Sequence, residues 1–547
     1  MSVGPFIFVG GGPPQTWSNL KGKPFIIVSV NGGPGGDGGD YGSNTPGTTT
    51  NGFAEAVAAA STVPGSVVAA LPGTYVLTSN VDVETSNFTF LFDANVTIDI
   101  QSTIGSPGLF RFGATSSITD VSMVALGTVT FKSSNSSTAY SFVSVGNAGG
   151  FSVKRFSMRG IWTNIANASA GVLTFKQAFL LLAGITDFYI EGIKAYGNTA
   201  PAHSVGNAQN GIYLVSGIVD KGTIADCYFE DCGNSGGATN TNSSPAFSML
   251  SSATFTNCTL RRISSKTTTL DTSPTIETGA AGATTPATGI TVIDCDVECY
   301  SSAAWTGQNW GNAIGFGGAL DCTAINCTAH NCFQGAFDIA NASRCSFINC
   351  VSYDGYLFGF HIGDSPSDGN SQFNSLYNCW AIDSNQKSGA NNPGVLVDQG
   401  AQFTTIFGGG AIDDQSGAHT QQHGIGISNN TNVQYLYVNG FVASGNVSGG
   451  TDWTTSTSGT NIMFKNCPGI TPFSGFSPST PATGVAFPLL AYDAIYVMTQ
   501  KAGVSGITLD GQALLTTADV PIPVGANHSL ATTWATSAPV FQVLPQN

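Results

Sequence analysis

The chain has 547 residues, of which 41% are hydrophobic but only 9% charged, and carries a formal net charge of -15 from 17 basic and 32 acidic side chains. That apolar content excludes a disordered polymer, and the lack of any basic block excludes nucleic acid as a partner, because phosphate binding rests on clustered positive charge. The surface must be made polar by Ser, Thr, Asn and Gly, which suits a neutral or weakly acidic ligand, with uncharged glycans the obvious class.

Residues 1–40 combine apolar pieces, Phe6 to Val9 and Pro24 to Val30, with the run Gly32-Gly-Pro-Gly-Gly-Asp-Gly-Gly39. They read as a small docking element followed by a flexible linker. Met1 to Val9 has no basic n-region and no clear apolar h-region, so no secretion leader is read there. Release by cell lysis, as for a virion component, or a leader missing from this sequence would each fit an extracellular composition. Next, Phe53 to Ala60 predicts a short amphipathic helix, followed by strands over Val67 to Leu71, Pro72 to Tyr75, Val81 to Val83 and Phe88 to Ile98. The longest apolar runs, such as Pro24 to Val30 and Ala178 to Ile185, fall far short of the ~20 residues of a membrane-spanning helix.

Between about Ile212 and Cys467 a phrase recurs. Short apolar runs follow a glycine at Gly335 to Ile339, Gly359 to Ile362, Gly394 to Val397 and Gly424 to Ile427. Asn-Cys pairs stand at Cys258, Cys327, Cys332, Cys350, Cys379 and Cys467. Cys322 to Cys345 and Cys327 to Cys350 are both steps of 23 residues, and Cys350 to Cys379 is a step of 29. A period in the low twenties with insertions is what one coil of a β-solenoid needs. Equivalent positions would then stack ~4.8 Å apart, Cys on Cys inside and Asn on Asn at the bends. The twelve cysteines include no CxxC and no His at zinc-finger spacing, so no metal site is expected. They read as buried free thiols, with disulfide staples the other reading. After Pro468 to Pro488, the alternating runs Ile495 to Val497, Gly506 to Leu509 and Val540 to Val543 predict a compact antiparallel β module.

The passage from Tyr41-Gly42 through the helix and Pro72-Gly-Thr-Tyr75 resembles the entry to the pectate-lyase-like superfamily, which includes phage tailspikes. Asp413-Asp-Gln415 to Gln421-Gln-His-Gly-Ile425 resembles a coil-to-coil passage of the same superfamily, so the resemblance covers roughly residues 41–467. It implies an all-β chain: a right-handed parallel β-helix over 41–480, with the docking segment at 1–40 and a β-sandwich-like cap at 481–547. It is specific for fold and poor for chemistry, because this fold hosts lyases, hydrolases and inert fibres.

The polygalacturonase pattern of that superfamily is not matched. Asp413-Asp414 and His423-Gly424 lie too close together for successive coils, and the Asn-Thr-Asp and Arg-Ile-Lys elements are missing. Lyase chemistry needs a basic residue near a calcium-binding carboxylate cluster, and an acidic, Arg-poor surface repels polyuronates. Aligning Ile339 with Ile362 sets Asp338 beside His361, with Asp364 and Asp383 following; these four are the candidate catalytic groups. Tyr353, Asp354, Tyr356 and Trp380, with Trp305 and Trp310 bracketing a loop, are the candidate sugar-binding residues. The alternative is that the acids serve turns and the Trp pair fills the solenoid end.

The sequence therefore points to a virion spike or fibre, a homotrimer docking to a larger assembly through residues 1–40 and recognising a cell-surface polysaccharide, with cleavage left open. A secreted polysaccharide lyase or glycoside hydrolase, and a non-catalytic adhesion protein, are the rival readings. No cofactor is expected, and the place of action is extracellular or on the virion surface.

Overall fold

The structure is a computed structural model. It describes residues 22–545 except 135–138, 148, 166–174, 198–209, 233–245, 250–252, 269–274, 280–286, 300–311, 333–334, 364–370, 387–391, 399, 417–419, 428–432, 453–461, 471–493, 501–503, 511, 515–521, 525–529 and 535–539. The fold is the right-handed parallel β-helix that the sequence resemblance implied. Two compact units divide the chain, Met1–Asp338 and Ile339–Asn547.

In the first unit each coil lays down three parallel strands, one on each of three faces. The first face begins with Phe25–Val28, Val67–Ala70 and Phe88–Phe92 and runs on to Thr259–Arg261, Thr291–Ile293 and Thr323–Ile325. The second face carries Gly73–Leu77 and Val96–Ile100, and later Ser264–Lys266, Asp296–Glu298 and Thr328–His330. On the third are Val81–Val83, Phe110–Phe112, Phe247–Met249, Ile276–Glu277 and Ile314–Gly317. Side chains alternate in and out, and in the earliest coils the inward positions are filled by rings: Phe90, Phe92, Phe110, Phe112, Phe131 and Phe142 are completely buried.

The helix expected over Phe53 to Ala60 is present as Phe53–Ser61. Its buried side chains are Phe53, Ala56, Val57 and Ala60, and the Phe53 ring lies 5.2 to 6.0 Å from the rings of Tyr75, Phe90, Phe92 and Phe110. The first strand, Phe25–Val28, pairs in parallel with Val67–Ala70, so coil structure begins inside the segment read from sequence as docking element and linker. The glycine run after it is an ordered loop. Gly33 N–H bonds to the Gly39 carbonyl at 3.0 Å, and the Asp37 carboxylate accepts the Asn31 and Gly39 N–H groups. Gly42 has no room for a side chain, because a Cβ there would lie 2.2 Å from the Ser29 carbonyl and the Gly32 nitrogen.

Corners explain the Asn-Cys phrase. Where the chain turns from first to second face, Asp226, Arg262, Asp294 and Asn326 all hold left-handed backbone, φ between +50° and +54°. Their amides bond onward to the next coil: Asp226 to Arg261, Arg262 to Ile293 and Asp294 to Ile325. Asn and Asp tolerate this conformation better than other side chains do, and the following residue points inward, a Cys at most of these corners and Ile263 after Arg262. Eleven of the twelve cysteines follow such a left-handed residue. The phrase marks any of three corners, and steps between like corners give the coil length: 23 residues from Cys322 to Cys345 and from Cys327 to Cys350, and 29 from Cys350 to Cys379, as Ser346 paired with Ser375 shows, whereas the coil from Asp296 to Thr328 takes 32. The extra length falls largely between the second and third faces.

All twelve cysteines are buried and unbridged. Burial pushes the thiols of Cys227 and Cys258 up to about 12, which removes the thiolate on which reactivity depends. A thiol titration with an aromatic disulfide reagent is therefore expected to detect close to none in the native protein and twelve after guanidinium unfolding.

The second unit repeats the three-faced coil. Its first face runs Ser346–Ile348, Ser375–Tyr377, Thr405–Phe407, Tyr437–Asn439 and Met463–Lys465. The second runs Val351–Tyr353, Trp380–Ile382, Gly410–Ile412 and Val442–Ser444, and the third Phe358–Ile362, Pro393–Val397, His423–Ile427 and Thr451–Asp452. Asn349 and Asn378 stack at a left-handed corner, φ +51° and +49°, and their side-chain amides bond at 3.0 Å. Before the first face the corner column is aromatic: Phe373, Phe403 and Tyr435 are left-handed, exposed and stacked at 4.7 and 4.6 Å. Near the C-terminus stand two three-stranded antiparallel sheets. In one, Ala494–Gln500 lies between Ile522–Val524 and Val540–Pro545; in the other, Val504–Leu509 lies between Gln512–Leu514 and Leu530–Trp534.

Candidate functional site

On the third face of the first unit the chain places outward-pointing polar groups on successive rungs. Phe247 pairs with Ile276 and Glu277 with Gly315, so Ser248, Glu277 and Gly315 stand in one outward column. The Ala313 N–H bonds to the Ala336 carbonyl at 2.8 Å, which adds the strand opening at Gly335 as the next rung. The in-out alternation of that strand, with Phe337 buried, turns Asp338 outward. Asn312 ties the two rungs together: its Oδ1 accepts the Gly335 N–H at 3.3 Å and its Nδ2 donates to Asp338 Oδ2 at 2.8 Å.

Glu277 and Asp338 thus lie two rungs apart on this face, roughly 10 Å along the coil, with the Ile314–Gly317 strand between them. The gap is open. A Cβ built at Gly315 would meet nothing closer than Asn312 Nδ2, at 3.9 Å. Burial, with the Asp338 charge adding to it, pushes the Glu277 carboxyl up to about 7. Glu277 therefore keeps its proton near neutrality while Asp338 is held as an acceptor by Asn312. This pairing of a proton-bearing acid with a hydrogen-bonded carboxylate is what glycoside hydrolysis requires, and inverting enzymes space the two by roughly 6.5–9.5 Å.

In the second unit the sequence candidates fall on different surfaces. His361 is on the third face, its Nε2 3.6 Å from Asp398 Oδ2 and its ring stacked 5.8 Å from Phe358. Tyr353 and Trp380 are on the second face, on adjacent rungs, and the Trp380 ring lies over Gly410, where a Cβ would come within 2.8 Å of it. Asp354, Tyr356 and Asp383 occupy the corner between those faces, with Asp354 N–H bonded to the Ile382 carbonyl. Asp364, Trp305 and Trp310 lie outside the described residues.

Asp383 is the most perturbed acid of this unit. Desolvation, with the carboxyls of Asp414 and Asp413 beside it, raises it to about 6, and it accepts the Asp414 N–H at 2.9 Å. Asp413 is buried, and its carboxylate closes a loop by accepting the Thr420 and Gln421 N–H groups at 2.7 and 2.8 Å. The Asp383 carboxyl is hydrogen-bonded to that of Asp414, so the two act on each other and not across a substrate-sized gap, and this corner is a weaker candidate than Glu277 and Asp338. The aromatic column is no sugar platform either. Its rings cover one another's faces at interplanar angles of 7° and 3°, whereas a pyranose stacks on an open face.

Among solved structures, the Dettilon tailspike protein aligns over 95% of this chain and 94% of its own, at 10% identity and a TM-score of 0.41. The catalytic unit of a GH87 alpha-1,3-glucanase from Streptomyces thermodiastaticus aligns over 84% and 70%, at 15% identity and a TM-score of 0.43. The A-module of a mannuronan C-5 epimerase from Azotobacter vinelandii aligns over 77% and 95%, at 12% identity and a TM-score of 0.39. No family model and no curated protein matches the chain.

Glu277 was not singled out from sequence. One signal was available: the chain has only six glutamates, and this one sits between Ile276 and Thr278 in a short alternating run.

Proposed function

We propose that the protein binds a surface polysaccharide on its coil and hydrolyses it on the third face of the first unit. The observation that carries this reading is the Glu277 carboxyl, raised to about 7, two rungs from Asp338 on one face of the coil. Protonated Glu277 gives its proton to the leaving glycosidic oxygen as the C1–O bond breaks. Asp338, steadied by Asn312, takes a proton from the water that bonds to C1 on the opposite face, with inversion at that carbon. The sparsely charged composition fits a ligand bound through hydroxyl groups.

The spike or fibre role belongs to the same proposal. It takes the chain as a homotrimer outside the cell or on a virion, docking through residues 1–40, and its support is the tailspike-like sequence entry around Tyr41 to Tyr75. Incubation with a panel of bacterial surface polysaccharides tests the activity. New reducing ends without unsaturated-uronate absorbance are expected from at least one of them; unsaturated products would replace hydrolysis with elimination, and no product from any would remove the enzyme reading. Mass in solution tests the trimer.

A further inference from the structure

The first face of the first unit carries a groove of about 600 Å³, lined by Lys23, Arg155, Arg159 and Lys221 against only two carboxylates, Asp120 and Asp187. In a chain of net charge -15 this is a local inversion of sign. The two acids are already engaged: Asp120 takes both Arg155 nitrogens at 2.5 Å, and Asp187 lies 3.9 Å from Lys154. Lys221 stands 3.7 Å from Asp220 and is largely exposed.

Arg159 is the unusual group. It is 6% exposed, lines the groove, and its Nε is buried without a hydrogen-bond partner. Its guanidinium lies 4.5 Å over the ring of Tyr189, whose hydroxyl is committed to Glu191 at 2.7 Å. A buried guanidinium with donors to spare is costly unless something else satisfies it, and its planar fork matches a carboxylate better than any neutral group. Around it the outward column supplies hydroxyls: Thr89, Ser122, Ser157 and Thr223 all line the groove. Thr89 and Ser122 already share a hydrogen bond of 2.9 Å, which leaves oxygens for a sugar.

We infer that this groove binds an acidic sugar unit, its carboxylate on Arg159 and its hydroxyls on the Ser and Thr column, so that the polysaccharide recognised is a uronate-bearing one. The site deepens the polysaccharide reading and rests on it, but lies on a different face from Glu277. A globally acidic surface repels polyuronates at a distance; a local cationic groove admits one residue of them.

The test is calorimetric titration of the full chain with mannuronate, guluronate and galacturonate tetramers, with their methyl esters, and with inorganic phosphate. At least one free-acid tetramer is expected to bind tenfold or more tightly than its ester and to weaken as salt rises. Arg159→Met should lower that affinity at least tenfold and Lys221→Ala about threefold. Should Arg159→Met fail to fold, Arg159→Lys and Lys221→Ala carry the same comparison. Equal binding of acid and ester, no binding by any tetramer, phosphate binding alone, or full affinity in a folded Arg159→Met protein would each overturn the inference. Charge-selective binding without cleavage of any substrate would remove hydrolysis and leave this site standing.

Discussion

Glu277→Gln is expected to cut the release of reducing ends by between about 10² and 10⁴, the range that a positioned general acid supplies. Asp338→Asn should cost a comparable factor, because the two carboxyls act on one event from opposite sides. In the unaltered protein the alkaline limb of the rate profile should fall near pH 7, where Glu277 loses its proton, and no variant lacking that carboxyl should keep the limb. Stability should fall with rising pH as well. The native state holds the Glu277 proton up to about 7, whereas an unfolded carboxyl releases it near 4.5, so native chains bind more protons between those values. Stability therefore declines as pH rises through that window, by at most roughly 3 kcal/mol. Replacing the acid by its amide removes the decline, so Glu277→Gln should resist urea better than the parent at pH 8 and equally at pH 4. Denaturation midpoints at the two values check this, and equal behaviour at both would show that Glu277 is an ordinary surface carboxyl.

Phe53→Ala is expected to have the largest effect on folding, about 3–5 kcal/mol. Phe53 has no exposed surface and touches four rings that belong to strands of the second, first and third faces, so its removal empties the point where the helix joins the first coils. The neighbours are held by strand pairing and cannot collapse into the space. Scanning calorimetry should show the loss in the earliest thermal transition; a variant that melts like the parent would mean that the helix closes nothing.

Much of this architecture could be read from the residue pattern, and the failures have physical causes. Asn-Cys is a corner phrase because the turn demands a left-handed residue and then an inward apolar one that a Cys fills, and both demands are local. The coil length is not local. Residues inserted between the second and third faces change it without touching any corner, so the step of 23 between Cys322 and Cys345 becomes 32 between Asp296 and Thr328. The third face carries no cysteine marker, and there Ile276–Glu277 pairs over two residues only. Glu277 was consequently missed while Asp338, beside a clear strand, was found. Tyr353 and Trp380 were grouped with His361 through closeness in sequence, yet the bend at Asp354 turns the chain onto another face between them.

The dozen sealed thiols bear on how such a protein matures. Their bonds to neighbouring carbonyls, such as Cys379 Sγ to the Phe347 oxygen at 3.3 Å, are made in the reduced form. No oxidation step is needed to complete the fold, so the coil can close under reducing conditions and keep its thiols sealed from any oxidant it meets later. Its coils are held to one another by cross-links that are steric and not covalent.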